Sequence, residues 1–149
     1  MNRMPEGNAI VYCEGAFNTL NGKTAHGLVR LTNRYRVLSV VDSRYAGRDA
    51  GEVLDGKANR IPIFGSLEQA VKVADSNARP ATHFVVGLAP DGGRLSKTAR
   101  QDVKSAVSYG LNVDCGLHDY LSEDPKIMKL ADRYGSKIRD IRKPPRIQK

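Results

Sequence analysis

The sequence predicts an α/β fold, a three-layer sandwich built on a mostly parallel sheet of five or six strands. Three observations carry this expectation. Strand-like and helix-like stretches alternate along the chain, the pattern of successive β-α-β units. Several strand-like stretches are continuous apolar runs, as strands buried on both faces require. The chain has 149 residues, 40% of them apolar, enough for one core of ordinary domain size.

The elements follow in order. Ala9-Ile10-Val11-Tyr12-Cys13 reads as the first strand. A helix is expected from Lys23 to Asn33, with Ala25, Leu28, Val29 and Thr32 on one face. Arg36 to Asp42 is the clearest strand. Residues 44–60 carry glycines and charges, with room for a short helix over 50–54. Ile61 to Phe64 forms a third strand, and Pro62 places it at an edge or a strand start because proline cannot donate to a ladder. Ser66 caps the next helix, with Gln69 in the capping-box position and Leu67, Ala70, Val71 and Ala74 facing inward. Thr82 to Ala89 is the fourth strand. Ser96 caps a helix that shows Ala99, Val103, Ala106 and Val107 and stops at Gly110. Leu111 to Cys115 is the fifth strand. Asp124-Pro125 opens the last helix, and Gly135 closes it. Lys137 to Arg142 supplies a sixth strand. Residues 1–142 therefore form the domain, and 143–149 read as a basic, proline-containing linker.

This succession implies a Rossmann-like sheet of order 3-2-1-4-5 with a sixth strand beyond. Ligands in such sheets bind outside the carboxyl ends of the strands, where the strand order reverses between strands 1 and 4.

Composition narrows the function classes. No run of about 18 apolar residues is present, so no membrane span is expected, and the N-terminus lacks the apolar stretch of a secretory signal. Two cysteines, Cys13 and Cys115, make neither a disulfide framework nor a metal quartet and are expected to be buried, reduced thiols. A cytoplasmic setting follows. The net charge is +8, but Arg133 to Lys149 holds seven basic residues and one acid, Asp140, so this tail carries +6 of it. A neutral body with few aromatics disfavours nucleic acid as the main partner.

The ionisable and glycine-rich segments fall on the predicted ligand rim. Gly15, Lys23, Thr24 and His26 follow strand 1, Asp42 ends strand 2, Gly92-Gly93-Arg94 follows strand 4, and His118-Asp119 follows strand 5. Gly22-Lys23-Thr24 resembles the end of a phosphate loop, but Phe17 stands where that loop needs glycine, and no G-x-G-x-x-G is present. Lys23 and Thr24 at a helix start suit an anion. Asp42 stands where a ribose-binding acid would be. Gly92 and Gly93 can turn backbone N–H groups towards an anion that Arg94 clamps. His118, with Asp119 beside it, or His26 is the candidate general base. The three histidines lack metal-ligand spacing, and no metal is inferred.

Taken together, Tyr12-Cys13-Glu14-Gly15, Gly22-Lys23-Thr24-Ala25-His26-Gly27, Val41-Asp42-Ser43, Gly87 to Leu95, Gly116 to Leu121 and Asp140-Ile141-Arg142-Lys143-Pro144-Pro145 resemble a once-uncharacterised bacterial and archaeal family that includes the D-glutamate N-acetyltransferases. The resemblance covers nearly the whole chain. It implies the N-terminal Rossmann-like domain of proteins that add a C-terminal P-loop domain, in the same or a separate chain. It also implies acetyl transfer to a D-amino acid, with acetyl-CoA or a nucleotide as the ligand. The second domain is expected to be needed for activity, leaving the isolated domain inactive. A stand-alone, non-catalytic module binding a nucleotide, CoA or another small anion is the alternative, and a homo-oligomer is expected.

Overall fold

The computed structural model describes residues 5–144. Eleven principal elements alternate: β1 (Gly7–Tyr12), α1 (Lys23–Arg30), β2 (Tyr35–Val41), α2 (Ala50–Asp55), β3 (Ile63–Phe64), α3 (Leu67–Ser76), β4 (His83–Val86), α4 (Lys97–Ser108), β5 (Asn112–Cys115), α5 (Pro125–Tyr134) and β6 (Ile138–Asp140). The six strands form one sheet of order β3-β2-β1-β4-β5-β6, every pair parallel. Right-handed crossovers put α1 and α2 on one face and α3, α4 and α5 on the other. This is the expected Rossmann-like α/β sandwich, sixth strand included.

The sheet centre is apolar on both sides, so its strands need no polar alternation. Ala9, Ile10 and Val11 are fully buried on β1, as are Phe84 on β4 and Val113 on β5. Tyr12 stacks on Phe84 with ring centroids 4.9 Å apart. The edges are polar or short. β3 has two residues, and Pro62, just before it, contributes only its carbonyl, which accepts from Val40 N at 3.0 Å. β6 presents Arg139 and Asp140, charges that discourage a further strand from pairing there.

Local chemistry sets the helix ends. Ser66 and Ser96 accept from the backbone amides of Gln69 and Ala99. Asp124 caps α5 through the amides of Lys126 and Ile127, Pro125 occupies its first turn, and Gly135 ends it in the left-handed conformation. α1 ends at Arg30, short of the expected Asn33, because Leu31 turns to extended backbone (φ −165°) to lead the chain back into β2. Most of the expected 143–149 linker lies outside the described residues. No helix among the described residues is long and apolar enough to cross a membrane. Cys13 and Cys115 are free and buried, as expected. Burial pushes their thiols up to about 12 and about 11.

Candidate functional site

Two cavities open at the carboxyl ends of the strands. One, of about 330 Å³, occupies the reversal point between β1 and β4, and Tyr12, Glu14, Asn21, Leu88, Asp91 and Arg94 are among its walls. The other, of about 490 Å³, lies between the loops after β4 and β5 and is lined by Gly92, Gly93, Arg94, Arg100, His118, Asp119, Tyr120, Glu123 and Asp124. Arg94 borders both. Its guanidinium forms no ion pair among the described residues.

The loop after β1 is built from beneath by Asp42. This side chain is fully buried. Its carboxylate accepts from the amides of Gly15 at 3.3 Å, Phe17 at 3.0 Å and Arg44 at 3.0 Å, and from the Arg44 guanidinium at 2.9 Å. Burial alone would raise its pKa. The hydrogen bonds from Arg44 and from the amides outweigh burial and hold it below the usual carboxylate range. Asp42 thus supports the rim loop and has no acceptor left for a ribose. Glu14 ties the same loop to β2 by accepting from Ser43 N at 2.9 Å.

The Gly22-Lys23-Thr24 segment has a packing explanation. A Cβ on Gly22 would stand 2.6 Å from the Phe17 carbonyl oxygen and against that of Ala16. Gly22 therefore lets α1 begin directly under the loop, and Ala25 N then donates to Gly87 O at 3.1 Å, docking the helix start on β4. Gly22→Ala is expected to cost about 1–3 kcal/mol through that overlap, read as a lower urea midpoint. His26 is half-buried, with Nε2 against the Phe17 carbonyl and its ring edge-on to Phe17 at 5.8 Å. Lys23 and Thr24 are exposed, and neither they, His26 nor Gly15 lines either rim cavity.

The structure thus separates the sequence-predicted residues. Gly92, Gly93, Arg94, His118 and Asp119 come together in the larger cavity. Gly92 and Gly93 adopt φ of +81° and +73°, a region that side chains rarely enter, so the tight turn requires both. Gly93 N donates to Pro90 O at 2.9 Å, so the glycine's contribution to the cavity is the missing side chain. His118 and Asp119, adjacent in sequence, take different partners. Asp119 accepts from Leu95 N at 2.9 Å and Arg100 Nη2 at 2.6 Å, and the nearest polar partner of His118 is the Tyr120 hydroxyl at 3.5 Å.

Sequence reasoning missed three contributors. Arg100 joins Asp119 to Asp124, which accepts from Nη1 at 2.8 Å, and so fixes the cavity wall between α4 and α5. The signal available was its position one turn into α4. Tyr12, a wall of the smaller cavity, donates to Asp102 on α4, and burial followed by that carboxylate raises its phenol pKa well above the usual value. Tyr120 donates to Arg142 O at 3.3 Å, holding the end of the domain beside the larger cavity.

Comparison with known proteins places this architecture. The family described as DUF1611_N, a Rossmann-like domain of unknown function, matches residues 43–144. The chain belongs to the DUF1611_N family. Among solved structures it is similar to a DUF1611 family protein from Anabaena variabilis, with a TM-score of 0.80 and 27% sequence identity over 93% of this chain and 37% of that one. Among curated proteins it is 34% identical over 86 residues to a D-glutamate N-acetyltransferase from a Pseudoalteromonas species, covering 58% of this chain and 26% of that protein. A D-glutamate N-acetyltransferase from Tritonibacter scottomollicae is 29% identical over 70 residues, 47% of this chain and 21% of that protein. The DUF1611_N chain thus spans about a quarter of the length of these curated relatives.

Proposed function

We propose that this DUF1611_N domain supplies the ligand-binding rim of a D-amino-acid N-acetyltransferase, with D-glutamate or a close analogue as acceptor, and that a P-loop domain completes the site. The observation that carries the reading is the convergence of Arg94, without an ion pair among the described residues, the side-chain-free Gly92-Gly93 turn and His118 on one cavity of about 490 Å³. That volume is ordinary for a small-molecule site. The relatives named D-glutamate N-acetyltransferase supply the substrate class.

In this reading Arg94 holds a carboxylate through its planar fork. His118 takes a proton from the substrate ammonium, so that the free amine can be acylated. Acetyl-CoA, when bound, supplies the thioester carbonyl that the amine attacks, and its thiol leaves. The end of β6 sits against the same loop. Asp140 accepts from the amides of Leu121 and Ser122 at 2.9 Å each, and Lys143 Nζ donates to Ser122 Oγ at 3.0 Å. A P-loop domain attached after Pro144 would therefore start beside the cavity, a common place for a site shared by two domains. The cytoplasmic setting expected from the sequence is part of the same proposal.

Binding without catalysis is the second reading, a module for a nucleotide, CoA or another small anion. It is favoured by one observation. Asp119 is committed to Arg100, and among the described residues no carboxylate orients His118.

Amide NMR spectra of the chain, titrated with D-glutamate and with acetyl-CoA, test the proposal. Shifts are expected at Gly92, Gly93, Arg94 and His118, and Arg94→Ala is expected to weaken binding about tenfold or more. Binding that ignores Arg94→Ala, or spectra that neither ligand moves, would remove the rim from the function.

A further inference from the structure

A third cavity lies along the β3-β2 edge of the sheet, apart from the two rim cavities. It has a volume of about 350 Å³ and sits between β2, β3 and α3. Its walls follow β2 from Arg36 to Ser39 and reach Phe64 on β3, and it shares no lining residue with either rim cavity.

Three independent features coincide there. First, Arg36, Arg60 and Arg79 all line the cavity, and none forms an ion pair among the described residues. Three arginines without an acidic partner on one cavity concentrate positive charge that an anion would offset. Second, Ser39 lines the same cavity at 2% exposure, and its Oγ is buried with no hydrogen-bond partner among the described residues. A buried hydroxyl without a partner costs the fold free energy that a ligand atom can restore. Ser39 shares a sheet face with Val41, whose cross-strand neighbour is Phe64, and α3 covers that face. The hydroxyl is therefore aimed into the space between sheet and helix. Third, Phe64 and Val73 provide apolar walls of the same cavity.

The helix end does not oppose an anion as a bare terminus would. The carbonyls of Val73, Ala74 and Asp75 accept from the amides of Asn77, Arg79 and Ala78 at 3.0, 3.0 and 3.1 Å.

We infer that this cavity binds a phosphomonoester of a small aromatic or apolar compound. The arginines hold the phosphate, Ser39 Oγ hydrogen-bonds a polar atom of the ligand, and the organic body packs on Phe64 and Val73. Guanidinium suits phosphate because its fork matches two oxygens at once. The apolar walls require a body that inorganic phosphate lacks.

The test is an amide NMR titration of the full chain with adenosine 5′-monophosphate, phenyl phosphate and inorganic phosphate. The expected result is saturable one-to-one shifts at Ser39, Val73 and Arg79 with both organic esters, little change at Gly92 and Arg94, and weaker binding of inorganic phosphate. The separate sets of reporting amides distinguish this site from the rim. Charge reversal with Arg36→Glu and Arg79→Glu together should weaken both esters about tenfold or more, as loss of charged hydrogen bonds implies. Ser39→Ala removes the orphaned hydroxyl, so it should melt no lower than the parent yet bind several-fold more weakly. The inference is overturned if neither ester moves these amides, if the double reversal leaves affinity intact, if inorganic phosphate binds as tightly as the esters, or if only an RNA oligonucleotide binds.

Discussion

Replacing Asp42 with alanine is expected to destabilise the domain by about 3–5 kcal/mol, the range for breaking a buried, hydrogen-bonded charge pair. The loss has two parts. The fully buried carboxylate accepts from three backbone amides, and two of these, on Gly15 and Phe17, belong to the loop after β1. Without it the buried Phe17 amide loses its partner, worth about 1–3 kcal/mol when left unsatisfied, while the exposed Gly15 amide can turn to water. Arg44 also loses its only ion-pair partner among the described residues, but that group is 41% exposed and water replaces much of the contact. Urea unfolding at neutral pH measures the total. Asp42→Asn should cost less, since an amide oxygen can keep one or two of the acceptor roles. A functional consequence follows from position. Glu14 and Ala16 line the cavity between β1 and β4, and Asp42 holds the backbone on which they stand. Amide exchange in residues 14–18 should therefore accelerate in Asp42→Ala before global unfolding does. Equal exchange rates in the two proteins would show that the loop stands without this carboxylate.

What the sequence made legible divides along physical lines. Strand order, parallel pairing and helix caps were readable because each has a local cause. Examples are the unbroken apolar run of residues 9–13, the Asp124-Pro125 start with Gly135 at the end, and the serines before α3 and α4. The family was readable because short motifs recur in order along the chain, and the match over residues 43–144 agrees. Roles set by distant partners were not readable. Asp42 ends β2 where a ribose acid would sit, yet its partners Gly15 and Phe17 lie 27 and 25 residues away in sequence. Tyr12 and Asp102 are 90 residues apart. His118 and Asp119 are adjacent in sequence but take different partners, because loop backbone decides direction and composition does not record it. The buried Ser39 sits inside an apolar strand pattern, and only the sheet register with α3 above it shows that its hydroxyl faces a cavity.

The second large effect is expected at Asp114, on the sheet interior far from the loop that Asp42 holds. Asp114 is 3% exposed on β5. It accepts from Arg139 Nε at 2.9 Å and Nη2 at 2.8 Å, a bidentate pair that joins β5 to β6, and from the Tyr35 hydroxyl at the start of β2. Burial raises its pKa, but the hydrogen bonds of Arg139 and Tyr35 outweigh burial and hold it below the ordinary carboxylate range. The sign of the pH dependence follows. Between the folded and unfolded pKa values the unfolded chain binds more protons, so stability rises with pH through that window. The contribution is complete above an unfolded aspartate's pKa of about 4 and is lost as pH falls towards the folded value. Tyr35 acts at the other end. Burial and the Asp114 carboxylate push its phenol up to about 12, so its share is present below an unfolded tyrosine's pKa of about 10 and disappears as pH rises through about 12. Urea midpoints measured from pH 3 to pH 11 should therefore form a plateau between about 4 and 8.5 with a fall on each side, the alkaline fall beginning with the buried Cys13 and Cys115 thiols and steepening above about 10 as Tyr35 joins it. Asp114→Asn is expected to lower the plateau by about 3 kcal/mol, at the low end for a broken buried pair because Arg139 keeps 43% of its side chain exposed. The same variant should flatten the acid fall, leaving the shares of the other carboxylates held low, Asp42, Asp49, Asp55 and Glu6. An unchanged acid fall in Asp114→Asn would place the linked protons on other carboxylates, since the substituted side chain no longer titrates.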